Sequence, residues 1–206
     1  MDKGFPDVRD VQVVEKKEVF RGFYKLDEYV LRVPKFDGTL TGPLSREIAD
    51  RGDAAGVFLY DAVADTAVFV EQFRPGAFFA GENPWLLECV AGIVEKGETP
   101  QDVVIREAME ESGCTVEELI PMGRYFSSPG GMTERLTMFC GRVDSRKHSR
   151  FAGLAEEGED FRVRLVSGDD VVRMSEGMEI SNGMTLIACQ WFALHRAKLK
   201  EKWGAK

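Results

Sequence analysis

The chain has 206 residues, a formal net charge of −8, four cysteines and two histidines, His148 and His195. No lysine- or arginine-rich segment typical of nucleic-acid binding occurs outside the short C-terminal tail, and no apolar run approaches the roughly 20 residues of a membrane span. With so few histidines, a His-rich zinc site and a Ser-His-Asp triad are nearly excluded.

The compartment is predicted from the N-terminus and the cysteines. The charged N-terminus lacks the apolar stretch of a secretory signal. The four cysteines are far apart in apolar contexts, which favours free, buried thiols in a reducing environment over CxxC redox or zinc pairs. We therefore expect a cytoplasmic protein with no membrane and no nucleic-acid partner.

Residues 1–50 predict a small antiparallel β-sheet. Residues 11–33 read as two strands with a bend at Arg21 and Gly22, and Pro34 ends this run. A turn at residues 36–38 then leads into a third segment. Because strongly apolar runs are few here, we expect a separate module whose sheet needs a partner surface, either the main domain or a second subunit.

Residues 51–206 predict the main domain. Two short apolar segments, 54–61 and 66–73, are typical of buried strands, and residues 85–91 predict one further strand. Residues 136–143 and 161–167 predict two more strands. Helices are expected at 169–176 and 184–200.

A central amphipathic helix has clear end signals. Thr99 can cap it, Pro100 suits its first position, Asp102 suits a capping box, and Gly113 is a typical stop. At 100° per residue, one face is predicted to be apolar and the other acidic. The apolar face comprises Val104, Ile105, Ala108, Met109 and Ser112, and the acidic face Glu107, Glu110 and Glu111.

The acidic face predicts a divalent-metal site. Three carboxylates on one helical face repel one another unless a cation neutralises them. Oxygen-rich sites suit Mg²⁺ or Mn²⁺, and these ions bind phosphate oxygens and activate water. A solvated acidic face is the alternative that these three residues alone leave open.

The wider pattern resembles the signature of the Nudix hydrolases, G-x5-E-x7-R-E-U-x-E-E-x-G-U, where U is a bulky aliphatic residue. The matching positions are Gly92, Glu98, Arg106, Glu107, Glu110, Glu111 and Gly113, with Ala108 and Cys114 at the two U positions. These two departures concern packing. The resemblance implies an α+β fold, an α/β/α Nudix sandwich with a mixed sheet, and the small N-terminal antiparallel β-sheet module would be added to it.

The resemblance also implies a role for each position of the signature. Glu107 and Glu111 would ligate Mg²⁺, or alternatively Mn²⁺, with assistance from Glu110 and from the backbone carbonyl of Ala91. The structural positions would be Gly92, Glu98, Arg106 and Gly113. Glu98 and Arg106 are well placed to pair and brace the loop before the helix.

The similarity extends to the bacterial ADP-ribose pyrophosphatases of this family. It includes PWLLECVAG, SPGGMTER and GLAEEGEDFRV, and Pro129 stands 16 positions after Gly113 (129 − 113). The resemblance implies hydrolysis of ADP-ribose to AMP and ribose 5-phosphate. It places the catalytic base at Glu157, and its neighbours Glu156 and Glu159 could share that role or touch metal.

Substrate contacts and assembly are likewise implied by this resemblance. Arg46 and Arg74 match positions that hold the substrate's phosphates or adjacent groups, Phe23 matches an aromatic near the adenine, and Glu134 is a candidate for a sugar contact. The N-terminal sheet would be exchanged in a homodimer. Hydrolysis of another small-molecule nucleotide sugar, such as GDP-mannose, and a non-catalytic ADP-ribose sensor remain open as alternatives.

Overall fold

The computed structural model describes residues 10–153 and 158–204, which form two compact units. One unit comprises the chain up to Asp53 together with Phe126–Arg135, and the other comprises Ala54–Tyr125 and Leu136–Lys206. The division of the chain at residue 50 into a module and a Nudix domain remains a prediction. None of the helices within the described ranges has the length and apolar character needed to cross a bilayer.

The first unit contains the small antiparallel sheet that the sequence predicts. Its strands are β1 (Gln12–Arg21), β2 (Lys25–Arg32) and β3 (Leu44–Asp50), in that spatial order. Every residue of β1 is exposed. The segment Phe126–Arg135 runs beside β3, where the Ala49 N–H donates to the Gly131 carbonyl at 2.8 Å and the Ala49 carbonyl accepts from the Thr133 N–H at 3.1 Å.

The second unit is built on a mixed sheet, which confirms the predicted fold class. Its main strand order is β10-β11-β5-β4-β9-β8, with β4 and β9 parallel, while β6 pairs with β5 and β7 pairs with β4. The strands are β4 (Ala54–Asp61), β5 (Thr66–Phe73), β6 (Trp85–Glu88), β7 (Val90–Ile93), β8 (Glu118–Phe126), β9 (Arg135–Arg142), β10 (Phe151–Ala152) and β11 (Phe161–Ser167).

Helices cover both faces of this sheet and create two cores. The helices are α1 (Pro75–Phe79), α2 (Pro100–Ser112), α3 (Gly168–Glu176) and α4 (Gly183–Trp203). β4 is buried at every position, and its side chains alternate between the two faces. Phe58 and Tyr60 pack with Phe192 of α4, whereas Val57 and Leu59 belong to the core of α2. This is the expected α/β/α arrangement.

Two local predictions were wrong. The single strand expected at 85–91 is two strands separated at Cys89, because β6 and β7 pair with different neighbours. On α2, Ile105 and Met109 are 46% and 48% exposed. The buried positions are instead Val103, Val104, Ala108, Glu111 and Ser112, so tertiary packing rotates the buried stripe to include one of the glutamates. In addition, α1 and β8 were not predicted.

Candidate active site

The α2 helix has the predicted capping box. The Thr99 hydroxyl accepts from the Asp102 N–H at 3.2 Å, and the Asp102 carboxylate accepts from the Thr99 N–H at 3.1 Å. At the other end Gly113 has a φ of 71°, a left-handed conformation that favours glycine. These caps satisfy backbone groups at both ends and fix where the helix begins and ends.

Gly92 allows α2 to lie against β7. A Cβ added at Gly92 would meet Glu107 Oε1 at 1.9 Å and Glu107 Cγ at 2.7 Å. Such distances are far below van der Waals contact, so any side chain here would displace Glu107. The glycine therefore positions a carboxylate beside the backbone of β7, which is also the strand of Ala91.

Arg106 gathers three of the predicted carboxylates. Its Nη1 lies 2.9 Å from both Glu107 Oε1 and Glu110 Oε2, and its Nε lies 3.4 Å from Glu98 Oε1. The other Glu98 oxygen accepts from the Glu95 N–H at 3.1 Å. Arg106 thus links the loop before α2 to the acidic residues of the helix.

Glu111 is a buried carboxylate, only 3% exposed. It accepts a long hydrogen bond, 3.4 Å, from the Ala91 N–H, and it forms no ion pair with any described residue. Burial, followed by repulsion from Glu107, raises the pKa of Glu111 well above its usual value. Burial also raises the pKa of Glu107, although Arg106 opposes this effect.

The donor set fits a divalent cation. Two carboxylates with raised pKa values, one of them buried beside the backbone of Ala91, form the environment that a hard cation neutralises. As the side chains stand, Arg106 engages Glu107 and Glu110, and the described part of the chain contains no group of three or more His, Cys, Asp or Glu side chains arranged to hold a metal ion. Metal binding would therefore require the carboxylates to be shared with Arg106.

The segment that precedes Glu156 and Glu157 in the chain lies against the end of α2. The Gly153 N–H donates to the Glu110 carbonyl at 3.1 Å, and the Ser149 N–H donates to the Ser112 carbonyl at 2.8 Å. The charge of Glu159 raises the pKa values of Glu107 and Glu111. Glu157, the predicted base, and its neighbour Glu156 lie outside the described residues.

Arg74 belongs to the same unit as α2 and is held by a buried partner. Its Nη2 donates to Glu88 Oε2 at 2.6 Å, and its Nε donates to Glu88 Oε1 at 3.0 Å. Burial alone would lower the pKa of Arg74, but Glu88 reverses that effect, and Glu111 and Glu159 add to the increase. Arg74 is therefore within electrostatic range of the acidic residues.

The remaining predicted substrate residues belong to the first unit. Phe23 is 70% exposed and meets Tyr24 edge-on, with ring centroids 5.3 Å apart. Arg46 is exposed on β3, and its Nη1 donates to the Ser45 carbonyl at 2.7 Å. Glu134, by contrast, is buried and forms an ion pair with Arg51.

Sequence reasoning missed the group of residues around Glu88. This carboxylate is fully buried and also accepts from Gln72 and Asn182. The signal was a single glutamate inside the apolar segment WLLECVA. A charged residue within a buried strand requires partners, and that requirement could have singled it out.

Comparison with known proteins finds a matching family model and similar enzymes. A family model described as the NUDIX domain matches residues 50–206. The chain is 41% identical over 195 residues to the ADP-ribose pyrophosphatase of Escherichia coli (strain K12), covering 95% of this chain and 93% of that protein. It is 30% identical over 190 residues to the GDP-mannose pyrophosphatase of Pectobacterium atrosepticum, covering 89% and 97%.

A second ADP-ribose pyrophosphatase, from Haemophilus influenzae, is 39% identical over 199 residues, covering 95% of this chain and 91% of that protein. Among solved structures, the crystal structure of an ADP compounds hydrolase superposes with a TM-score of 0.71, covering 97% of this chain and 99% of that one. Its identity is only 14%, so this likeness shows a shared fold.

Proposed function

The chain belongs to the Nudix hydrolase family, and from that premise we propose that it hydrolyses the diphosphate of ADP-ribose to AMP and ribose 5-phosphate. The observation that carries the proposal is the buried Glu111 carboxylate, which lies against the backbone of β7 without a cationic partner among the described residues. The choice of ADP-ribose is supported by the similarity to ADP-ribose pyrophosphatases over nearly the whole chain.

Nudix hydrolases generally need a divalent metal, and we propose Mg²⁺, with Mn²⁺ as a substitute. Glu107, Glu111 and the carbonyl of Ala91 would hold it, and Glu110 would assist. When bound, such an ion supplies charge neutralisation for the diphosphate and polarises its phosphorus atoms. Gly92 keeps Glu107 beside β7, and Arg106 binds both Glu107 and Glu110.

We assign the catalytic base to Glu157. On one side of Glu157 in the chain, the Gly153 N–H donates to the backbone of α2, and on the other side the charge of Glu159 acts on Glu107 and Glu111. This proximity supports a carboxylate from this segment as the group that takes the proton of the attacking water. Glu156 and Glu159 are the neighbours that could share the role.

Substrate binding and assembly complete the proposal. Arg74 and Arg46 would contact the phosphates or adjacent groups, Phe23 the adenine and Glu134 the sugar. A homodimer that exchanges the N-terminal sheet would be consistent with the full exposure of β1, which carries Val13, Val14, Val19 and Phe20 on its surface. The cytoplasm suits four cysteines that are all free and buried.

A panel of nucleotide sugars assayed with Mg²⁺ tests the function. We expect ADP-ribose to have the highest kcat/KM, with AMP and ribose 5-phosphate as products. Faster turnover of GDP-mannose would favour the second candidate, which the Pectobacterium relative supports. Absence of hydrolysis of every compound, with retained ADP-ribose binding, would instead indicate a sensor.

Two conservative variants distinguish Glu157 from Glu159 as the catalytic base. Glu157→Gln should lower kcat about 10²- to 10⁴-fold, the usual contribution of a positioned base, and leave substrate binding largely intact. Glu159→Gln tests the neighbouring candidate and should lower kcat less than Glu157→Gln does. If Glu159→Gln instead caused the large loss of kcat, the catalytic base would be Glu159 and not Glu157.

A further inference from the structure

Glu88 occupies an unusual place for a carboxylate. It is the last residue of β6, it is completely buried, and the chain leaves β6 for β7 directly after it. Burying an ionised carboxylate is strongly unfavourable unless cations and hydrogen bonds compensate. We therefore expect Glu88 to stabilise or orient the groups that bind it.

Both oxygens of Glu88 are fully engaged. Oε1 accepts from Arg74 Nε and from Asn182 Nδ2, each at 3.0 Å. Oε2 accepts from Arg74 Nη2 at 2.6 Å and from Gln72 Nε2 at 3.2 Å. Gln72 and Arg74 belong to one segment, the end of β5 and the residue after it, and Asn182 precedes α4, so the carboxylate joins β6 to two other parts of the second unit.

Among the described residues, Glu88 binds the Arg74 guanidinium along one edge, through Nε and Nη2. The Arg74 side chain stays 45% exposed, although Glu88 has no exposure. A planar guanidinium held in this two-point manner has a fixed orientation and retains N–H groups for a second anion. Its exposed part therefore offers a pre-oriented donor to a ligand.

The Asn182 side chain is divided between two tasks. Its Oδ1 accepts from the Thr185 N–H at 2.9 Å and caps α4, which leaves Nδ2 for Glu88. The Thr185 hydroxyl in turn accepts from the Cys89 N–H at 2.9 Å. The first turn of α4 is thus tied twice to the junction between β6 and β7, and this holds Glu88 itself in place.

We infer that Glu88 is a positioning residue, supported by Asn182 and Gln72, that fixes the Arg74 guanidinium for contact with the substrate's diphosphate. The inference rests on the proposed function, because it assigns Arg74 to that substrate. It goes further by naming what orients the arginine. Glu88 itself does not touch the substrate in this arrangement, so its effect on catalysis passes through Arg74.

The test compares Glu88→Gln, Arg74→Ala and the double variant. In the wild-type background, Glu88→Gln should raise KM for ADP-ribose about 10- to 100-fold, which is the effect expected for the loss of charge-assisted hydrogen bonds. The change in kcat should be smaller. In the Arg74→Ala background the same substitution should leave KM unaltered. Glu71→Gln is the matched control, because Glu71 forms a bidentate pair with Arg162 in the same sheet and has no hydrogen bond to Arg74.

The outcomes are distinct. If Glu88→Gln raises KM equally with and without Arg74, or lowers only the amount of folded enzyme, Glu88 is structural and the inference is overturned. If Glu88→Gln does not fold, Glu88→Asp withdraws the carboxylate by one methylene and is judged by the same dependence on Arg74.

If wild-type enzyme does not hydrolyse ADP-ribose, the proposed function fails. Binding of inorganic pyrophosphate, measured by calorimetry, then still reports whether Glu88 acts through Arg74.

Discussion

The two faces of the central sheet treat charge differently. On the α4 face, Asp65 is surrounded by donors: the Tyr60 hydroxyl at 2.6 Å, Arg196 Nε at 3.1 Å and Lys200 Nζ at 3.1 Å. On the α2 face, Glu111 is more deeply buried and has one long hydrogen bond from a backbone N–H. One carboxylate is saturated with cations, and the other has none among the described residues.

We interpret this difference as one between a carboxylate that stabilises the fold, Asp65, and one proposed to bind a cation, Glu111. A saturated carboxylate stabilises the fold, and the pKa of Asp65 accordingly lies well below its ordinary value, mainly because of the Arg196 hydrogen bonds. A buried carboxylate without a cation costs stability, and the pKa of Glu111 is raised. A buried carboxylate that lowers stability in this way is typical of ligand-binding sites. We therefore expect substitutions on the two faces to affect stability and activity in opposite ways.

The largest effect is expected at Glu111. Glu111→Gln should lower kcat/KM on the order of 10⁴-fold, equivalent to about 5 kcal/mol, because the ligand proposed for the metal would be lost. In the absence of metal the same variant should unfold at a higher temperature than wild type, because an amide of equal size replaces an uncompensated carboxylate and can still accept from Ala91. Steady-state kinetics and thermal unfolding in EDTA measure the two quantities.

The wild-type protein should gain thermal stability on addition of Mg²⁺, and Glu111→Gln should gain much less. If Glu111→Gln lost activity and also unfolded at a lower temperature than wild type in EDTA, the contrast drawn between Glu111 and Asp65 would be wrong. Such a result would show that Glu111 supports the fold as Asp65 does.

The next effect concerns the aromatic core on the opposite face. Phe192 is fully buried, with ring centroids 4.8 Å from both Phe58 and Tyr60. Phe192→Ala should reduce the free energy of unfolding by about 4 kcal/mol, through lost burial and a residual cavity. Urea unfolding gives this value. The kcat of the folded fraction should match wild type, and a large loss of kcat would mean that the two faces are coupled.

How far the sequence predicts this molecule depends on whether each feature is local. The ends of α2 were predictable because Thr99 and Asp102 act on neighbouring backbone groups. The break at Cys89 was not, because it depends on which distant strands pair with β6 and β7. The burial of Glu111 was missed for the same reason: periodicity gives the relative positions on a helix, and packing decides which face is covered.

The candidate site shows the same limit. The signature from Gly92 to Cys114 gave the acidic residues through a family resemblance, and the Arg106–Glu98 pair forms as expected. The support of Arg74 could not be inferred, because Asn182 lies 94 positions from Glu88 in the chain. Only the fold brings those two side chains together.

A smaller effect is expected at Asp65 and depends on pH. Asp65→Asn should cost about 2 kcal/mol at pH 7, because charge-assisted bonds to Arg196 and Lys200 weaken. Asparagine is the suitable replacement, since Asp65 has a φ of 52° and asparagine tolerates that conformation. Urea unfolding of both proteins from pH 7 down to pH 3 measures the difference.

The sign follows from the depressed pKa of Asp65 in the folded state. Its stabilisation is fully present above the unfolded pKa, about 3.9, and is lost as pH falls below that value towards the folded pKa. The difference between wild type and Asp65→Asn should therefore be constant from pH 7 to 5 and narrow below about pH 4. A difference that widens on acidification would show that Asp65 is not stabilised by these cations.

The smallest effect tests whether stability and activity can be separated on the functional face itself. Thr99→Ala removes the cap of α2 and should lower the free energy of unfolding by about 1 kcal/mol. Thr99→Ser keeps a hydroxyl and should recover most of that loss. Because Glu107 and Glu111 stand more than two turns from the cap, kcat should not change in either variant. A fall in kcat that serine restores would instead show that the cap sets the position of the carboxylates, so that on this face the fold and the chemistry depend on the same interaction.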